Sequence, residues 1–85
     1  MKLKQKSNAV AVIPALNEVE TIGKIIQKLK QKMDVVVVDD GSTDATAEAS
    51  KKCGAHVIKK AETEGYEAAL RSGLIWAKTQ PYAYA

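Results

Sequence analysis

Two short stretches of this 85-residue chain carry side chains able to do chemistry together. One is Asp39-Asp40-Gly41-Ser42-Thr43-Asp44, the other Pro14-Ala15-Leu16-Asn17-Glu18. Ionised carboxylates accept hydrogen bonds from the N–H or O–H groups of a base or a sugar. Each charge-assisted bond of that kind is worth about 1.5 to 3 kcal/mol, enough to select one base over another. A phosphate cradle is not indicated. The dinucleotide fold needs Gly-x-Gly-x-x-Gly after its first strand, the turn after Ile13 holds no glycine, and no P-loop pattern occurs anywhere. Cys53 has no second cysteine to pair with, and with the single His56 it offers no metal-ligand spacing.

The elements that must position these residues are legible as patterns. Val35 to Val38 are consecutive β-branched residues, the signature of a parallel strand buried on both faces, and it delivers the acidic pair to its C-terminal end. Ligands of open α/β sheets bind at that end. Before it, Ala9 to Ile13 reads as a first strand stopped by Pro14. Asn17 caps a helix of about four turns, whose apolar stripe is Ile22, Ile25, Ile26, Leu29 and Met33. Behind the central strand, small residues from Asp44 to Cys53, among them Ala45, Ala47 and Ala49, make a second helix that sits close to the sheet, with Gly54 as its left-handed cap. Ala55 to Lys59 is a third strand near an edge. Tyr66 to Lys78 is a third helix, with Tyr66, Ala69, Leu70, Gly73, Leu74, Trp76 and Ala77 on its buried side.

The predicted fold class is therefore α/β: three layers α-β-α around a partial Rossmann-like parallel sheet of strand order 3-2-1. Residues 1–85 form a single incomplete domain: a basic tail at 1–8, βαβαβα over 9–80, and the start of a further strand at 81–85. With strand one at the edge, pairing with a second copy as a homodimer is expected. An apolar share of 46% and a charged share of 27% suit a globular domain. No run approaches the roughly 18 apolar residues of a membrane span. The net charge of +3 is spread over helix faces without interleaved aromatics, which argues against a nucleic-acid partner.

Val12-Ile13-Pro14-Ala15-Leu16-Asn17-Glu18 and Val36-Val37-Val38-Asp39-Asp40-Gly41-Ser42-Thr43-Asp44, with an amphipathic helix between, resemble the start of family 2 glycosyltransferases. The subgroup most similar is the polyprenyl-phosphate sugar transferases related to dolichyl-phosphate mannose synthase. The likeness runs from Ala9 to Ala77 and includes Ala68-Ala69-Leu70 and Gly73. It implies the GT-A fold and transfer of a sugar, with inversion, from a GDP- or UDP-sugar to an acceptor hydroxyl or polyprenyl phosphate, in the cytoplasm or at the cytoplasmic face of a membrane. The membrane enters only through the acceptor lipid. The resemblance places Pro14, Leu16 and Glu18 along the nucleotide and Val38 and Asp40 beside base and ribose, with Asp39 supporting the turn. The family more often has an aromatic residue where Leu16 stands, Asn where Thr63 stands and Gly where Glu67 stands.

The family's Asp-x-Asp, which holds Mg²⁺ or Mn²⁺ against the donor diphosphate, lies one strand further on, and the acceptor's general base later still. The 85 residues are expected to recognise a nucleotide, to hold no metal by themselves and to carry no transferase activity alone. Three other readings stand beside this one. Asp39 and Asp40 could cap their own turn and Glu18 its helix, Tyr66 and Trp76 could be core, and Arg71 could pair with Glu67. The acidic pair could hold Mg²⁺ as in receiver-like domains, although those place acids after strand one. The chain could be a non-catalytic nucleotide-binding or self-association module.

Overall fold

The computed structural model describes residues 9–81 as six alternating elements: β1 (Val10–Ala15), α1 (Ile22–Leu29), β2 (Asp34–Asp39), α2 (Thr46–Lys52), β3 (His56–Lys59) and α3 (Tyr66–Lys78). The expected basic tail and the strand expected at the C-terminus lie, but for Pro81 in a turn, outside the described residues. All strand pairs are parallel and the order is β1-β2-β3, as the sequence predicts. Ala15 pairs with Asp39 and Asp39 with Lys59, so the C-terminal strand ends lie level along one rim of the sheet.

β2 is the buried centre. Val35 to Val38 are at most 1% exposed because each face of the strand is covered. Val35 and Val37 pack with Ile22, Ile26, Ala15 and Ala55 under α1 and α2. Val36 packs with Val10 and Ala77, flanked by Val12, Ile58 and Trp76, under α3. Three layers result, α1 and α2 on one side and α3 on the other. His56 of β3 stacks on Trp76 of α3, ring centroids 4.4 Å apart, which ties the far half of that helix to the sheet.

Four local expectations are corrected. β1 runs through Pro14 instead of ending before it. The Ala15 carbonyl accepts the Asp40 N–H at 2.9 Å, so by strand alternation the Pro14 nitrogen faces away from β2, where its lack of an N–H costs no ladder bond. α1 has 8 residues, shorter than four turns, and Asn17 does not cap it. Asn17 is left-handed, φ 53°, and the chain turns once more before the Glu18 carbonyl accepts the Ile22 N–H at 2.8 Å. The inner face of α2 is Thr46, Ala47 and Ser50, while Ala45 is exposed.

The fourth correction concerns α3. Its buried line is Ala69, Gly73 and Ala77, at i, i+4, i+8, whereas Tyr66 and Leu74 are exposed. Backbone and sheet approach so closely there that a Cβ on Gly73 would fall 2.3 Å from Val12 Cγ1 and 2.9 Å from Val38 Cγ2. The small residues bring α3 down onto β1 and β2, and that contact sets where its N-terminus stands above the strand ends. Among the described residues no helix is long and apolar enough to cross a membrane.

Candidate functional site

The loops leaving β1 and β2 are laced together by their short polar side chains. Asn17 N–H donates to Ser42 Oγ at 2.9 Å, and Asn17 Oδ1 accepts from the Thr43 N–H at 2.9 Å and from Thr43 Oγ at 3.3 Å. Glu18 N–H donates to Thr46 Oγ1 at 2.9 Å, and Thr46 in turn donates to Asp44 through its N–H and its hydroxyl. Those bonds, the Thr46 hydroxyl first, hold the Asp44 carboxyl below its ordinary value of 3.8. The lacing exists because Asn, Ser, Thr and Asp can satisfy loop amides that no ladder reaches.

The adjacent acids point to opposite faces. Asp39, 1% exposed, accepts the Ser42 N–H on Oδ1 at 3.0 Å and closes its own turn, while Oδ2 is buried without a hydrogen-bond partner. Asp40, 4% exposed, reaches across to the loop before α3. Its Oδ1 accepts the Glu64 N–H at 2.9 Å and its Oδ2 the Gly65 N–H at 3.0 Å, while its carbonyl accepts from Thr63 Oγ1 at 2.8 Å. Gly41, φ 80°, lets that loop lie directly on the strand end: a Cβ there would be 2.7 Å from the Thr63 nitrogen.

Between these loops and α3 opens a cleft of about 210 Å³. Pro14, Leu16, Glu18 and Asp40 line it, as do Ala15, Thr63, Gly65, Tyr66 and Ala69. Four of the six residues singled out in the sequence are thus together. Val38 is fully buried beneath α3 and Asp39 sits on the other face, so neither lines the cleft. In the sequence Thr63 reads as a departure from the family pattern and Tyr66 as a core residue of α3, and neither of them, nor Gly65, is assigned to the site. A glycine opening a helix is a further signal there, since it marks a loop that must turn sharply.

Chemically the cleft is an apolar slot with an acid at its mouth. Pro14, Leu16 and the Tyr66 ring supply flat or aliphatic surface, and Glu18 is exposed, its Oε2 accepting from Thr21 Oγ1 at 3.2 Å. Among the described residues no three His, Cys, Asp or Glu side chains group to hold a metal ion, and both Asp40 oxygens already accept amides. The donor set present does not fit the Mg²⁺ or Mn²⁺ that the family resemblance implies.

Residues 10–84 match glycosyl transferase family 2, and the chain belongs to that family. An uncharacterized protein of Methanocaldococcus jannaschii is 39% identical over 71 residues, covering 81% of this chain and 29% of its own length. The 4,4'-diaponeurosporenoate glycosyltransferase of Staphylococcus aureus is 42% identical over 50 residues, 55% of this chain and 13% of that enzyme. Among solved structures, glucosyl-3-phosphoglycerate synthase from Mycobacterium tuberculosis, in complex with Mn²⁺, UDP-glucose and phosphoglyceric acid, superposes with a TM-score of 0.58 at 34% identity. That match covers 64% of this chain and 21% of the synthase. Mannosyl-3-phosphoglycerate synthase from Rubrobacter xylanophilus gives 0.53 at 33% identity, over 60% and 18% of the two chains. The chain therefore spans a third or less of the length of these relatives, and its fold is the α/β fragment they share.

Proposed function

We propose that this chain supplies the nucleotide-recognition part of a glycosyltransferase that moves a sugar from a nucleoside diphosphate donor to an acceptor. The observation carrying this reading is the cleft itself: Pro14, Leu16, Glu18 and Asp40 converge at the C-terminal rim of β1 and β2, where α/β sheets take ligands. The UDP and UDP-glucose held by the mycobacterial relative favour a UDP-sugar over a GDP-sugar.

The base enters the slot edge-on against Pro14 and Leu16, and Glu18 accepts a hydrogen bond from a base N–H or a ribose hydroxyl. Asp40 acts one step removed, since both of its oxygens hold the Glu64 and Gly65 amides and so fix the wall that the base meets. In family members a divalent cation carries the charge of the leaving diphosphate, and that chemistry is not supplied by the described residues. Transfer by these 85 residues alone is accordingly not expected, whichever acceptor, hydroxyl or polyprenyl phosphate, the reaction uses. The cytoplasmic setting, at the membrane face when the acceptor is a lipid, and self-association through β1 belong to the same proposal.

A titration of the isotopically labelled chain with UDP and with GDP tests it. Amide shifts at Leu16, Glu18 and Gly65 that move with millimolar UDP support the reading. Shifts that stay fixed in a folded protein refute it.

A further inference from the structure

Tyr66 is the most exposed of the large apolar side chains among the described residues, 68% accessible, and it stands on the lip of the cleft. Nothing in the fold accounts for it there. As the first residue of α3 it gains no helix stability over a smaller or charged residue, and among the described residues its hydroxyl has no hydrogen-bond partner and its ring no aromatic neighbour. A tyrosine left open in this way on an apolar slot is ready to meet a flat ligand.

Its position is also fixed more firmly than an exposed loop side chain requires. The residue before it, Gly65, donates its N–H to Asp40 Oδ2 at 3.0 Å, Glu64 donates to Oδ1 at 2.9 Å, and Thr63 Oγ1 holds the Asp40 carbonyl at 2.8 Å. On the other side, Ala69 is fully buried against the sheet one turn along the helix. Tyr66 is therefore clamped between a carboxylate-anchored loop and a packed helical turn, so a ligand that stacks on it loses little to ordering the backbone.

We infer that Tyr66 is the platform on which the nucleobase stacks, with Pro14 and Leu16 as the apolar walls of the same slot; the inference rests on the nucleotide reading above. Asp40 is the positioning residue that sets the platform. Stacking on an aromatic face tolerates any base, because every base has a π-face. Tyr66 thus gives affinity, and the choice of base falls to hydrogen-bonding groups such as Glu18.

The test compares the wild-type chain with Tyr66→Phe and Tyr66→Ala in titrations with UDP, followed on both the protein amides and the uracil H5 and H6 protons. Tyr66→Phe keeps the ring and is expected to bind within about twofold of wild type, whereas Tyr66→Ala is expected to bind about tenfold more weakly. The uracil protons move upfield with wild type and Tyr66→Phe, from the ring current, and not with Tyr66→Ala. Because Tyr66 is exposed, both variants keep the native amide spectrum away from the cleft. Equal affinity of Tyr66→Ala and wild type overturns the platform role and leaves nucleotide recognition standing. Failure of the wild-type chain to bind UDP overturns nucleotide recognition, and the platform with it.

Discussion

The Asp40 carboxylate and the Gly65 backbone, 25 residues apart in sequence, meet at 3.0 Å, and through that bond the end of the central strand holds the start of the last helix. The second oxygen on Glu64 makes the contact a fork, and Gly41 next door gives the loop room to reach it. An acid in a family motif thus serves first to join two walls of a cleft.

Asp40→Ala is expected to destabilise the chain by about 1 to 3 kcal/mol, since two partly buried amides lose a charged acceptor. Asp40→Asn keeps one acceptor oxygen and should cost less. Urea denaturation gives the totals, and hydrogen exchange at Glu64 and Gly65 localises them. Unchanged exchange at both amides in Asp40→Ala would contradict the fork.

Gly73→Ala pits helix propensity against packing. Alanine favours a helix interior by about 1 kcal/mol over glycine, yet its methyl would lie 2.3 Å from Val12 Cγ1, and overpacking of that order costs about 1 to 3 kcal/mol. Packing wins here, because Val12 and Val38 are β-branched and stiff and sit on the sheet. Net destabilisation is expected, and Gly73→Ala combined with Val12→Ala should recover part of it. A variant melting at or above the wild-type temperature would show that α3 stands further off the sheet.

Two groups tie stability to pH. Asp44 has a folded pKa below 3.8, so its contribution is complete above that value and is lost as pH falls through the lowered one. His56 is pushed below 6.5, chiefly by burial against Trp76, and its Nδ1 lies buried without a partner. For this base the unfolded state binds the proton more tightly, so stability declines as pH falls from 6.5 toward the folded pKa and is level above it. Urea midpoints across pH, read by the single Trp76, should show both declines. Asp44→Asn should flatten the acid one and His56→Gln the neutral one.

How much of this was legible in the sequence varies with the range of the interaction. Val35 to Val38 disclose a doubly covered strand because burial on both faces removes any need for polar alternation. Gly54 discloses its cap, and φ 93° confirms the left-handed turn. Long-range partners leave no such trace. Nothing near Asp40 says that its oxygens meet a loop more than 20 residues on, so a ligand role and a structural one looked alike. On α3 the buried side read from the sequence includes Ala69, Gly73 and Ala77, which are the buried line, but also Tyr66 and Leu74, which the close approach of the sheet to the small residues leaves exposed. Asn17 looked like a cap because it precedes a helix, while its left-handed backbone turns its amide toward Thr43.

That last residue separates strain from bonding. Asn17, exposed and left-handed at φ 53°, holds the Thr43 N–H and hydroxyl and receives no help from a helix. Asn17→Ala removes the acceptor, worth about 0.5 to 1.5 kcal/mol, and places a less tolerant side chain in a conformation costing about 1 to 2 kcal/mol. Asn17→Gly removes the same acceptor without that strain, at the cost of a more flexible unfolded chain, about 0.5 to 1 kcal/mol. Asn17→Ala should therefore be the less stable of the two, with both below wild type. Leu16 and Glu18 flank Asn17 on the cleft, so loosening it spreads the positions of both and weakens UDP binding in each variant. Paired urea curves and UDP titrations decide the matter: if Asn17→Gly matches wild type in both, the Asn17 and Thr43 contact neither stabilises the loops nor shapes the cleft.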